Sequence, residues 1–204
     1  MKRLILAILF SGFYLLTSNY VCAQSSINYD RAKKLSDSAL MLEATQPSLD
    51  AESLYEKKIE LINQAIKIDS NYFLAYSDRF MVEFEHKKYN EAILTGKQMI
   101  RIEPTNPDLE IDVGGVCENN NDTSSAIQHY KQGLAKYNRI LDTISVKNKK
   151  RSEYEAGRAI AFILLGDEQK GRTLLKELYD KATDDAEKWA LRNFISAPRK
   201  FFVY

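Results

Sequence analysis

The chain has 204 residues, of which 45% are apolar, and its 29 Lys and Arg residues nearly balance its 28 Asp and Glu residues. This balance excludes the strongly basic surface typical of nucleic-acid-binding proteins, and the apolar share predicts a folded rather than a disordered chain. Only two cysteines are present, which excludes a disulfide-rich scaffold. We therefore expect a folded protein stabilised by packing, with no nucleic-acid partner.

Residues 1–23 have the pattern of a secretory signal peptide. Lys2 and Arg3 precede an almost wholly apolar run at residues 4–16, and compact residues follow before Gln24. The run is shorter than the roughly 20 apolar residues that a membrane-spanning helix needs. Lipidation of Cys22 and a retained membrane anchor are the two alternatives. We expect an exported protein, periplasmic or extracellular, with no transmembrane segment after signal cleavage.

A 34-residue interval recurs through the middle of the chain. Ala65, Met99 and Gly133 are separated by this interval, and Ala92 and Ala126 are separated by the same number of residues. A fixed period of this length is typical of helical hairpins that bury their apolar faces by stacking on their neighbours. Small residues at such positions allow two helices to approach closely.

Two successive units share an order of aromatic, small and proline residues. In one, an aromatic residue opens the first helix at Phe73, Tyr89 and Ala92 follow the turn, and Pro104 marks the end. Since proline cannot continue a helix, the second helix of this unit is expected to stop near Ile102. The next unit starts at Pro107 and has Val113, Gly114, Ala126, Tyr130 and Gly133 at the corresponding positions. In these residues both units resemble tetratricopeptide repeats.

The resemblance implies an all-α, right-handed α-solenoid of about four helix-turn-helix repeats over residues 24–196. An earlier helix is predicted within residues 29–44, and a polar insertion at 142–150 displaces the next helix to 154–165. We expect residues 184–195 to form a capping helix. The C-terminal tail, residues 197–204, is apolar enough either to pack back on the fold or to dock on a partner.

The resemblance also implies that the first helix of each unit lines a concave binding face. Carried onto this chain, the candidate partner-binding positions are Ser77, Asp78, Met81, Phe84, Glu85, Asp108, Ile111, Asp112, Glu118 and Glu153. Family members that capture a terminal carboxylate use basic residues there, whereas these positions are acidic and apolar. We therefore predict a protein or peptide partner with basic and apolar residues. The alternative is that these carboxylates belong to ordinary solvated helix faces.

Glu83 occupies a position where the family usually has a tyrosine at a helix crossing. Because a buried, unpaired charge is strongly disfavoured, we expect Glu83 either to pair with Arg79 or to be exposed.

The sequence offers little catalytic chemistry. Its two histidines are His86 and His129, and Cys117 is expected to be a buried core residue. The polar run at 119–122 is explained by a turn in which Asp122 or Thr123 caps the next helix, expected from Ser124. We predict no enzymatic activity, catalytic residue, metal or cofactor.

The sequence thus predicts a non-catalytic scaffold or adaptor for protein–protein interaction. One alternative is a dedicated inhibitor or immunity partner of a secreted enzyme. Another is a glycan or small-molecule accessory protein, which exposed tyrosines at Tyr72, Tyr76 and Tyr130 would favour. The oligomeric state is not predicted.

Overall fold

The computed structural model describes residues 27–196, and all regular secondary structure in that range is α-helical. The helices are α1 (27–40), α2 (Leu42–Thr45), α3 (Ala51–Ile68), α4 (Phe73–Glu85), α5 (Tyr89–Ile102), α6 (Asp108–Asn119), α7 (Thr123–Thr143), α8 (Arg151–Leu164), α9 (Glu168–Lys181) and α10 (Asp185–Ser196). The predicted signal peptide, with Cys22, and the tail 197–204 lie outside the described residues.

The chain divides into two compact units, with the boundary within α4 between Val82 and Glu83. In the first unit, small residues of α1 such as Ala32 and Ala39 pack with Ile62 and Ala65 of α3 in one buried cluster. Because alanine side chains are short, the helix backbones can approach closely at these points. The apolar core of this unit therefore lies between α1, α3 and the first part of α4.

In the second unit, each helix from α5 to α10 packs against the next helix in the chain. This pairing of consecutive helices confirms the prediction of an all-α fold built from stacked helical repeats. The 34-residue interval marks the crossing positions, because the residues that define it are all buried: Ala65, Ala92, Met99, Ala126 and Gly133.

Local signals fix several helix ends. Helix α5 stops at Ile102, as Pro104 predicts, and Asp122 caps α7 by accepting a hydrogen bond from the Ser125 backbone N–H at 3.0 Å. Helix α7 begins at Thr123, one residue before the predicted start. It also extends to Thr143, so the predicted polar insertion shortens to residues 144–150.

The last helix confirms the predicted cap and covers the end of the repeats. Leu191 of α10 joins a buried cluster with Ala159 and Ile163 of α8 and Leu175 and Leu178 of α9. Since α10 contributes apolar residues to a core that α8 and α9 begin, it shields this core from solvent.

Glu83 is buried with 1% of its surface exposed, so the alternative expectation of an exposed Glu83 is wrong. The hydroxyl of Thr95 on α5 donates a hydrogen bond of 2.6 Å to the Glu83 carboxylate. A buried acidic group needs such a donor, and no sequence pattern indicated that a threonine twelve residues later supplies it. Pairing with Arg79 stays a prediction.

Candidate binding groove on α6, α8 and α10

In the second unit, α6, α8 and α10 line a cavity of about 590 Å³, which we call the acidic groove. These three helices alternate along the chain with α7 and α9, so the first helix of each pair contributes to one wall. Alternation therefore brings together side chains that are up to 86 residues apart in sequence, Asp108 and Phe194.

Carboxylates dominate the charge of the acidic groove. Five of them line it, namely Asp108, Asp112, Glu153, Asp184 and Glu187, whereas Lys149 is the single basic residue among the lining residues. Complementary charge of this kind attracts a cationic partner and repels an anionic one.

Apolar side chains form the rest of the lining. Ile111 comes from α6, Ala156 and Ile160 from α8, and Leu191 and Phe194 from α10. A groove that is apolar and carries a few charged groups can bury an apolar side chain while the charges orient the ligand.

Tyr137 of α7 reaches the groove because α8 has a glycine at the contact. A Cβ atom placed on Gly157 would overlap the Tyr137 hydroxyl oxygen, so any larger residue would force the ring to move. The Tyr137 hydroxyl donates a hydrogen bond to the Asp108 carboxylate. Burial, followed by the negative charge of Asp108, raises the pKa of Tyr137, so the hydroxyl stays protonated and remains a donor.

Asp112 lies one turn beyond Asp108 on the same wall. Burial, together with the neighbouring charge of Asp108, raises the pKa of Asp112 to about 7. Within residues 27–196, the Asp112 carboxylate takes part in no hydrogen bond or ion pair. Asp112 is therefore a half-buried acid that lines the groove and accepts no hydrogen bond from the described residues.

Glu110 lies two residues before Asp112 on α6 and has the opposite surroundings. Its carboxylate is 2.7 Å from His129 Nδ1 and accepts a 2.7 Å hydrogen bond from Lys136 Nζ. Burial alone would raise the pKa of Glu110, but the two partners hold it below its ordinary value. We found no sequence signal for this cluster, whose members come from α6 and α7.

Four of the ten predicted binding positions come together in the acidic groove: Asp108, Ile111, Asp112 and Glu153. Glu118, by contrast, lies at the far end of α6, where its carboxylate accepts a 2.8 Å hydrogen bond from Tyr130. The structure therefore brings together the predicted binding positions of α8 and of the first part of α6.

The remaining predicted positions all lie on α4. In the first unit, Ser77 is half-buried, Met81 is exposed and Asp78 accepts a hydrogen bond from Ser36. In the second unit, Glu85 is exposed and the Phe84 ring packs 5.9 Å, centroid to centroid, from that of Tyr89.

Sequence reasoning missed the contribution of α10 to the groove, because we interpreted this helix only as a cap. Its groove residues Glu187, Ala190, Leu191 and Phe194 follow helical spacing, so one face of α10 could have been predicted to line the wall. Lys149, Asp184 and Tyr137 were also missed.

The tyrosines that would favour a glycan-binding surface do not form an exposed row. Tyr72, Tyr76 and Tyr130 are all buried. Cys117 is buried as predicted, and this burial raises the pKa of its thiol. Across residues 27–196, no three acidic, histidine or cysteine side chains converge as a metal site would require.

No protein-family model matches the sequence, and no curated protein does. Among solved structures, the chain is similar to one described as the crystal structure of PilW, a widely conserved type IV pilus biogenesis factor. The TM-score is 0.50 at 14% sequence identity, and the similarity covers 81% of this chain and 70% of that one.

The fold is that of a helical-repeat protein. At 14% identity the likeness to PilW concerns the fold alone. No helix in the described range is both long and apolar enough to cross a membrane.

Proposed function

We propose that this protein is a non-catalytic adaptor of the tetratricopeptide type, which binds a protein segment carrying basic and apolar residues in the acidic groove. The observation that carries the proposal is the lining itself, which combines five carboxylates and one lysine with apolar side chains. A basic side chain would be attracted by the carboxylates, while an adjacent apolar side chain would be removed from water by contact with the apolar lining residues.

We also propose that the adaptor is exported, as the signal-like residues 1–23 suggest. PilW is described as a biogenesis factor. A role in assembling other proteins outside the cytoplasm is the kind of role that we propose for this chain. Such a role requires recognition of a segment rather than chemistry on it.

The test is selection of random heptapeptides displayed on phage against the immobilised protein. We expect enrichment of peptides in which Arg or Lys is next to Leu, Phe or another large apolar residue. Enrichment of acidic peptides, or no enrichment, would contradict the proposal.

A pair of matched variants locates the binding site. Ala190→Lys places a long basic side chain on the α10 wall of the groove, whereas Ala135→Lys makes the same change on the exposed surface of α7. Selected peptides should bind Ala190→Lys about tenfold or more weakly and should bind Ala135→Lys like the wild type. Equal loss in both variants, or no loss in either, would place binding outside the groove.

A further inference from the structure

Asp108 and Asp112 form a pair of carboxylates on the α6 wall of the acidic groove, separated by one helical turn. Tyr137 supplies one hydrogen-bond donor to Asp108. Asp112 has no such donor within the described chain, although it is enclosed enough for burial to be the main influence on its acidity.

The charged and titratable groups around the pair offer Asp112 no compensation. Glu153 of α8, Glu187 of α10 and Asp184 of the loop before α10 are acidic, and Tyr137 of α7 already donates to Asp108. Lys149 is solvent-exposed, and its charge does not contribute to the pKa of Asp112. Burial and the charge of Asp108 therefore disfavour the ionised form of Asp112, and a cation brought by a ligand would favour that form.

We propose that the Asp108–Asp112 pair is the docking point for one arginine or lysine side chain of the bound segment, whose neighbouring apolar side chain packs on Ile160 and Phe194. This inference rests on the proposed function and names the residues that select the basic side chain. Arginine suits the pair particularly well, since its planar guanidinium can donate to two carboxylates at once.

Docking of a cation would couple binding to proton release. A positive charge beside Asp112 favours its ionised form. Binding near pH 7 therefore releases a proton from those protein molecules in which Asp112 is protonated before binding. Affinity for a basic peptide should therefore rise about tenfold from pH 6 to pH 8 and level off above pH 8.

The experiment uses two synthetic peptides, acetyl-Ser-Arg-Leu-Phe-Ser-amide and the same peptide with uncharged citrulline in place of arginine. Isothermal titration calorimetry on the full chain measures the affinity at pH 8 and, in two buffers of different ionisation enthalpy, the proton release at pH 7. For the wild-type protein at pH 8, we expect the arginine peptide to bind at least about tenfold more tightly than the citrulline peptide.

Asp112→Asn keeps the shape of the side chain and removes its charge. We expect this variant to bind the two peptides with nearly equal affinity and to release no proton. Asp142→Asn, the same substitution at an exposed position near the end of α7, should keep both the preference and the proton release. Circular dichroism confirms that each variant is folded.

The outcomes separate the two proposals. If both peptides bind the wild type equally and Ala190→Lys abolishes both, the groove binds peptides but the carboxylate pair is not the docking point. If Asp112→Asn retains the preference for arginine, the docking point is also overturned. If neither peptide binds at millimolar concentration, both this inference and the proposed groove function fail for basic and apolar segments.

Discussion

Two carboxylates on α6, Glu110 and Asp112, are only two residues apart but have opposite surroundings. Glu110 faces α7, where His129 and Lys136 both contact it at 2.7 Å. Asp112 faces the acidic groove beside the like charge of Asp108. The pKa of Glu110 is accordingly held below its ordinary value, whereas that of Asp112 is raised to about 7.

This difference separates a carboxylate that stabilises the fold from one that is available to a ligand. The cost of burying Glu110 is offset by two partners within the protein, so its ionised form belongs to the folded state. The cost of enclosing Asp112 is not offset within residues 27–196. Groups that bind charged ligands commonly show this kind of unrelieved perturbation.

The largest effect is expected when Glu110 loses both partners. The double variant His129→Leu/Lys136→Met leaves a buried carboxylate unpaired and should lower the free energy of unfolding by about 3–5 kcal/mol at pH 7. Urea denaturation measures the loss, and Lys131→Met, at an exposed position on the same helix, should change stability by less than about 0.5 kcal/mol.

The pH dependence of this loss follows from the lowered pKa of Glu110. The stabilisation is fully present above the unfolded value of 4.5 and disappears as pH falls through the lower folded value. The wild type and the double variant should therefore converge in stability under acid. A difference that stayed constant down to pH 2 would show that the two partners act through packing and not through charge.

Asp112→Asn should change stability in the opposite direction. Because the folded pKa of about 7 lies above the unfolded value of 3.8, the wild type loses stability as pH rises from about 4 to about 7. A shift of this size corresponds to up to about 4 kcal/mol, at 1.36 kcal/mol for each pKa unit. The variant should be more stable than the wild type at pH 8, by about 1–3 kcal/mol.

Thermal unfolding at pH 4, 6 and 8 measures this effect. The gain should be largest at pH 8 and absent near pH 4, where the aspartate is protonated in the folded protein. Asp142→Asn, at an exposed position, serves as the control with no gain. If Asp112→Asn were destabilising at pH 8, Asp112 would have a stabilising partner, and the contrast with Glu110 would disappear.

The sequence predicted the architecture well because the fold repeats a simple local pattern. The 34-residue interval and the proline after α5 reflect close helix crossings and backbone chemistry, both of which act over short distances. The start of α6 and the α8 wall were also predicted, since Asp108, Ile111, Asp112 and Glu153 follow from the register of the repeat.

What the sequence did not show is which carboxylates have partners. Glu110 was not singled out, and its partners lie 19 and 26 residues away on α7. Thr95, likewise, gave no sign that it would donate to Glu83. Such pairings depend on the rotation of one helix against the next, which is fixed only when the side chains pack. The register of a repeat therefore predicts which residues line a groove. Which of these residues can bind a ligand depends on the hydrogen bonds that they already make within the protein.

Asp108 is intermediate between Glu110 and Asp112, since it accepts a hydrogen bond from one neutral donor. Removing that donor is expected to have the smallest effect on stability. Tyr137→Phe removes the hydroxyl that donates to Asp108 and should cost about 1 kcal/mol in urea denaturation. Tyr130→Phe is the matched control, because Tyr130 lies two turns earlier on α7 and donates a similar bond to Glu118. Its stability cost should be comparable.

Only the Tyr137 variant should change peptide binding, because only its hydroxyl contacts a carboxylate of the acidic groove. Without that donor, Asp108 has more capacity to accept bonds from a guanidinium, so the arginine peptide should bind Tyr137→Phe as tightly as the wild type or a few-fold more tightly. The citrulline peptide should show no such gain. If Tyr130→Phe altered the affinity for the arginine peptide as much as Tyr137→Phe, the effect would not depend on the hydrogen bond to Asp108. The different surroundings of Glu110, Asp108 and Asp112 would then not explain ligand binding.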